Sequence, residues 1–378
     1  MKVLKKIFKG IGIALGCILA VIILAAAALL IKAGTSYKNL QKIDDEGAFY
    51  SIDYVGNYDS PIVSKALNLF SGGCSAFITE NEDGDVITCR NYDFPHHDED
   101  GEPSGLNVLV NCNPKGRYSS VGIADLGLFS VVGLPYYADA FDESSITRLA
   151  LMYAPYLCMD GMNEKGVSVS ILYLDTKDGE SPMKQTDEGK ESLMVNGLLR
   201  EILDTCATLD EAVALAENTN MMCTFSGDYH LFVTDAAGNS AVFEWRYNTF
   251  TVTYTNAVTN FYVGYDDGCD SISNGVVTDA FVTPENVSWD YHYGYGHGYG
   301  RFAELAETLE KHITDKSTLA TSMTDLEAMN LLQKVSQAYN PSEATSYTQY
   351  SVIYNNTDLT IKVCVLRDYE NIYEFSVG

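Results

Sequence analysis

The sequence predicts an α+β protein built on a largely antiparallel sheet. Four stretches show period-two apolar alternation that meets a Gly, Asn or Asp turn and then resumes, the signature of β-hairpins. Four others space their apolar residues at 3.6, and two of these open with a capping box. Hairpins interleaved with helix pairs, rather than strict βαβ alternation, point to helices layered on antiparallel strands.

Along the chain, Lys2, Lys5, Lys6 and Lys9 precede an uncharged run from Ile11 to Ile31, 21 residues that suffice to cross a bilayer. Residues 1–33 therefore read as a basic N-terminus with a signal anchor, favoured over a cleaved signal peptide. The basic flank stays in the cytoplasm, which puts everything after Lys32 outside. A lipoprotein reading of Cys17 fits poorly, because Ala14-Leu15-Gly16 is a weak lipobox and the apolar run continues beyond it. Residues 34–73, polar and aromatic and ending in Ser71-Gly72-Gly73, read as a prosegment or linker, and residues 74–378 as the globular domain.

Hairpins are predicted at 74–94, 158–174, 229–247 and 351–366. Helices are predicted at 191–206, at 209–217 with Thr208 and Glu211 as capping box, at 300–312, and at 324–338 with Thr324 and Glu327. The one low-complexity stretch is YHYGYGHGYG at 291–300.

Charge excludes one class of partner. The net charge is −27, and residues 74–378 carry 16 Lys/Arg against 46 Asp/Glu, a surface that repels phosphate backbones, so no nucleic acid is expected. Nine cysteines lie scattered without C-x-x-C spacing, which argues against zinc and against a disulfide scaffold, and buried thiols are the default reading. The run His96-His97-Asp98-Glu99-Asp100 reads as a solvated loop rather than a metal site. His292 and His297, among Gly and Tyr, read as a substrate-shaping loop. With no phosphate loop or dinucleotide fingerprint, no cofactor and no metal are expected.

Chemistry concentrates at the first hairpin. With its turn centred on Glu82-Asp83, Cys74 lies opposite Asn91, Arg90 sits beside it, and Asp93 falls on the diagonal of the same face. A cysteine inside a chain needs a nearby base, whereas a terminal cysteine carries its own α-amine. Arg90 would favour the thiolate and Asp93 would hold the amine, so the grouping makes sense if Cys74 becomes the first residue. Read from the hairpin alone, Cys74 as a buried strand residue beside a surface Arg90–Asp93 pair stays open.

Cys74 followed by Arg90-Asn91-Tyr92-Asp93 resembles the opening of the choloylglycine hydrolase and penicillin V acylase family. DGMNEKGVSVSILYL at 160–174 is similar to that family's second hairpin, VTN at 258–260 to its T-N motif, and GRF at 300–302 to its later arginine segment. The resemblance implies a four-layer αββα N-terminal-nucleophile hydrolase sandwich of antiparallel sheets, preceded here by the transmembrane or signal helix. It implies self-cleavage at Gly73-Cys74 and hydrolysis of linear non-peptide amides, with bile salts, penicillin V or N-acyl amines as substrates. By the same resemblance Cys74 is nucleophile and base, Arg90 and Asp93 arrange that pair, and Asn260 and the backbone N–H of Tyr173 bind the oxyanion. Arg301 completes the network. Tyr173 stands where many bile salt hydrolases carry Asn and penicillin V acylase-like members carry Tyr.

Two other functions remain open at this point: an acyltransferase using the same thiol, and an uncleaved, catalytically silent surface binding protein. The expected partners are a small amide substrate and, before processing, the membrane; a homo-oligomer is left open. The catalytic domain is expected outside the cytoplasm, membrane-anchored, or secreted after processing unless the prosegment holds it.

Overall fold

Two sheets stack face to face, and each carries a pair of helices on its outer side. The computed structural model describes residues 28, 31–32, 35–44, 48–56, 58, 73–98, 100–128, 150–174, 184–222, 228–246, 249–263, 272–273, 276–277, 291–292, 296–315, 320–339 and 346–378. The predicted membrane span at 11–31 lies almost wholly outside these. Among the described residues no helix is long and apolar enough to cross a membrane.

In chain order the strands are β1 Tyr37–Lys42, β2 Phe49–Tyr54, β3 Gly73–Glu80, β4 Val86–Phe94, β5 Asn107–Cys112, β6 Ser120–Asp125, β7 Cys158–Asn163 and β8 Ser168–Leu174. There follow β9 Glu191–Leu193, β10 Thr219–Met221, β11 Asp228–Thr234, β12 Ser240–Arg246, β13 Thr249–Tyr254 and β14 Ala257–Val258. Short pairs are β15 Ile272–Ser273 with β16 Val276–Val277, β17 Tyr291–His292 with β18 Gly296–His297, and β19 Ile313–Asp315 with β20 Ala320–Thr321. The chain closes on β21 Tyr347–Asn355, β22 Thr360–Val365 and β23 Ile372–Ser376. The helices are α1 Val195–Thr205, α2 Leu209–Glu217, α3 Tyr299–Lys311 and α4 Asp325–Val335.

One sheet runs β1-β2-β5-β6-β7-β8-β11-β12-β13 and the other β14-β3-β4-β21-β22-β23. Side chains alternate across a strand, so each inner strand feeds two cores. In β3, Cys74, Ala76 and Ile78 join the core between the sheets, while Phe77 joins the smaller core under α3 and α4. Helices α1 and α2 pack on β7, β8, β11 and β12, completing an αββα order of layers. All four predicted hairpins form.

The helix predicted from 191 begins at Val195, because the backbone of Glu191–Leu193 is taken up in a parallel ladder with β10. Helix α4 has the full capping box, with Thr324 accepting from the Glu327 amide and Glu327 accepting from the Thr324 amide. At α2 the box is half formed: Thr208 accepts from Glu211, but the Glu211 carboxylate reaches back to the Ala207 amide. Helix α4 stops at Val335 because the chain then turns inward, the Gln337 amide donating to Thr348 Oγ1.

The segment read as a prosegment or linker contains structure. Strands β1 and β2 form the edge of the larger sheet, and β2 runs parallel to β5 through six residue pairs from Phe49↔Asn107 to Tyr54↔Cys112. That parallel pair makes the sheet mixed rather than wholly antiparallel. Phe49, Tyr50 and Ile52 are buried, and complete burial of a Phe or Ile stabilises by about 1.5–3 kcal/mol.

Six cysteines fall among the described residues, Cys74, Cys89, Cys112, Cys158, Cys206 and Cys364, and all are buried free thiols. Among those residues no group of three metal-ligating side chains occurs. The reading of 96–100 as solvated fails at its first residue. His96 is buried, its Nε2 on the Asp125 carboxylate, while His97 and Asp100 are exposed.

Candidate active site

Strands β3 and β4 meet in a register one residue away from the predicted one: Cys74 pairs with Tyr92, and Gly73 with Asp93. The cause lies in the turn. Asn81 Oδ1 accepts the amides of Asp83 and Asp85, and Gly84 takes φ +84, so an odd, five-residue loop joins Glu80 to Val86. A one-residue slip exchanges faces. Arg90 therefore shares the face of Cys74, between the sheets, whereas Asp93 lies on the opposite face, toward α3 and α4.

Between the sheets, the Arg90 guanidinium spans β7 and β8. Its Nη1 donates to the Met159 carbonyl and to Asp160 Oδ2 at 2.7 Å, and its Nη2 donates to the Ile171 carbonyl and lies 3.4 Å from Cys74 Sγ. The ladder between β7 and β8 is recorded only from Asp160↔Ser170 to Met162↔Ser168, so the guanidinium occupies the place where the two strands part. Asp160 also accepts from the Tyr350 hydroxyl at 2.6 Å and from Tyr354, neighbours on one face of β21. A planar fork with fixed donors suits this bridging of a carboxylate and two carbonyls.

On the other face, Arg301 Nη1 donates to the Cys74 carbonyl at 2.7 Å and lies 3.3 Å from Asp93 Oδ2. Its Nη2 donates to Asn260 Oδ1 at 2.9 Å. Asp93 is further held by Thr348 Oγ1 at 2.6 Å and Gln337 Nε2 at 2.7 Å. Arg301 is the third residue of α3, where a cation opposes the helix dipole, so helix stability does not account for it. The N-cap of α3, Gly298 at φ +85, brings the helix so close that a Cβ there would meet Thr259 and Arg301.

Asn260 joins the two faces. Its Oδ1 accepts the Cys74 amide at 2.8 Å, and its Nδ2 donates to the Tyr173 carbonyl at 2.7 Å. The preceding carbonyl, that of Thr259, faces His230 Nε2 at 2.7 Å, and His230 in turn meets Glu244 at 3.1 Å. The carbonyls of Ile171 and Tyr173 both point toward Cys74 and its partners; since a strand residue presents its N–H and C=O on one edge, the Tyr173 amide faces the same way.

All six residues singled out from sequence, Cys74, Arg90, Asp93, Tyr173, Asn260 and Arg301, thus converge. Asp160 opens the second-hairpin motif, and the resemblance assigns it no role. Tyr350, Tyr354, Gln337 and Thr348 were missed, and the four-residue spacing of Tyr350 and Tyr354 on one strand face was the available signal.

Burial pushes the Cys74 thiol up from its ordinary 9.0, with Arg90 pulling the other way. Burial also pushes Cys89 and Cys158 well above 9.0 and Tyr350 and Tyr354 well above 10.0, the Asp160 charge adding to the two tyrosines. The unfolded chain loses these protons near 9 and 10 while the folded chain keeps them. Stability is therefore full below about pH 9 and falls as pH rises further. Urea melts at pH 8 and pH 10.5 check this: an unchanged midpoint at the higher pH contradicts it.

A family model described as linear amide C-N hydrolases, choloylglycine hydrolase family, matches residues 74–260, beginning at the thiol and ending at the bridging amide. A mutant conjugated bile acid hydrolase from Clostridium perfringens superposes with TM-score 0.51 at 17% identity, covering 80% of this chain and 92% of that one. A second variant of that enzyme gives 0.51 at 16%, with the same coverage. A penicillin V acylase from Agrobacterium tumefaciens gives 0.49 at 18%, covering 80% and 86%. No curated protein matches the sequence. Fold and family together define a hydrolase acting on linear amides. Residues 74–260 of the chain match the choloylglycine hydrolase family.

Proposed function

We propose that the chain cuts itself at Gly73-Cys74 and then hydrolyses linear non-peptide amides through an acyl-thioester on Cys74. The observation that carries this reading is the double hold on one residue: its thiol beside Arg90, its amide nitrogen on Asn260. In the first step the thiolate attacks the Gly73 carbonyl carbon, the C–N bond breaks, and the nitrogen takes the thiol proton to become a free amine. Water then releases Gly73 as a carboxylate. In turnover the amine accepts the thiol proton, the thiolate attacks the substrate carbonyl, and the protonated amine returns its proton to the leaving amine. Water completes the cycle.

Asp93, held by Thr348 and Gln337, and Arg301 fix the Cys74 backbone from behind. The Asn260 side-chain amide and the Tyr173 N–H would receive the oxyanion, for which Asn260 Nδ2 leaves the Tyr173 carbonyl. Asn260→Ala is expected to lower kcat by about 10²–10³, roughly 3 kcal/mol in the barrier. Amide turnover by matured protein tests this, and an Asn260→Ala enzyme within threefold of wild type sinks the assignment.

Tyr173, half-buried and edge-on to Tyr229 at 5.9 Å, supports an aromatic wall beside the thiol. A panel of phenoxyacetyl, bile-acyl and fatty-acyl amides will order the acyl preferences. The basic flank and the 21-residue apolar run support a catalytic region outside the cytoplasm, held at the membrane by its N-terminus.

A further inference from the structure

Residues 37–44, 48–56 and 58 lie on the far side of the proposed scission, yet they are part of the folded body. We infer that they remain after the cut, so that the mature protein is two non-covalently associated chains, with the β1–β2 hairpin as a permanent edge of the larger sheet. The inference rests on scission at Gly73-Cys74 as proposed above.

Three observations support it. The first is the ladder: β2 pairs with β5 over its whole length, and the Asn107 amide extends the pairing to the Ala48 carbonyl at 2.9 Å. The second is burial on both sides of β2. Phe49 packs against Phe375 at 5.9 Å and Tyr373 at 6.2 Å, both in β23 of the other sheet, so the hairpin closes one end of the gap between the sheets. The third is a set of polar anchors reaching beyond the strands. Tyr58 donates to the buried Asp204 at 2.9 Å, its ring lies 5.5 Å from the Arg200 guanidinium, and Tyr54 donates to the Met152 carbonyl at 2.9 Å.

Departure would expose the β5 edge, together with the apolar side chains that β2 covers, an arrangement that folded proteins avoid. It would also uncover the short helix Leu151–Tyr156, against whose Tyr156 ring Tyr58 packs edge-on at 6.1 Å. That helix leads straight into β7, whose Met159 and Asp160 hold Arg90. The segment therefore supports the seat of the catalytic thiol from outside the catalytic chain. A peptide destined for disposal would not supply a strand that buries Phe49, Tyr50 and Ile52 in the body it leaves.

Two measurements test this. Wild-type protein purified in detergent is expected to give two polypeptides under denaturing mass spectrometry, one beginning at Cys74, and a single 1:1 species under native mass spectrometry. Two pieces of which only 74–378 survives natively overturns the inference while leaving scission intact; one uncut chain overturns scission, and the two-chain form with it. Independently of self-cleavage, a specific protease site placed between Tyr58 and Gly73 of Cys74→Ser protein allows the chain to be nicked on demand. The nicked halves are expected to co-elute in gel filtration, and Ile52→Asp to weaken their association by about tenfold or more. Separation of the unmodified nicked halves, or no effect of Ile52→Asp, overturns the inference.

Discussion

Cys74→Ser is expected to leave the chain uncut at Gly73 and to lower amide turnover by roughly three orders of magnitude or more. The substitution keeps the volume and the strand, so the buried β3–β4 pairing is retained and the loss is chemical. A hydroxyl releases its proton far less readily than a thiol, and among the described residues the neighbours of Sγ include the Arg90 guanidinium and the Ile171 carbonyl, neither of which serves as a general base. N-terminal sequencing and product release from an amide substrate read the two effects separately. Normal cutting together with normal turnover in the serine protein defeats the mechanism.

Arg90→Met is expected to destabilise the fold by about 3–5 kcal/mol, because it strands the fully buried Asp160 carboxylate. It also removes the guanidinium donor of the Met159 and Ile171 carbonyls. Adding Asp160→Asn removes the stranded charge, and much of the stability is expected to return while activity does not, since the thiol still lacks its neighbouring cation. Chemical denaturation of the single and double variants measures this. A melt of Arg90→Met within about 1 kcal/mol of wild type shows the buried pair to be dispensable.

The hairpins and helices were legible because their signals are local: alternation, turn residues and caps all lie within a few positions of one another. The residues of the site were legible by type and by resemblance, but their sides of the strand were not. Five loop residues instead of an even turn moved Asp93 to the back of the sheet, and nothing in CSAFITENEDGDVITCRNYDF states how Asn81 will fold the loop. Strands β1 and β2 escaped for a related reason. Burial alternates from Tyr50 to Tyr54, but the strand is short and its partner β5 begins 58 residues beyond the start of β2. In sequence Asp160 is one more motif carboxylate, and only the fold brings Arg90, Tyr350 and Tyr354 together on it. These are long-range facts, set by how the sheets dock.

Two of the side chains that grip Asp93 come from Gln337 and Thr348, which follow it by 244 and 255 positions. A ribosome must extend the chain by 244 and 255 positions beyond Asp93 before either exists, so a shorter nascent chain lacks the back wall of the proposed cutting site. Under the proposed scission at Gly73-Cys74, the order of translation would act as a timer: cutting would wait for β21 to arrive, and a prematurely terminated product would stay silent.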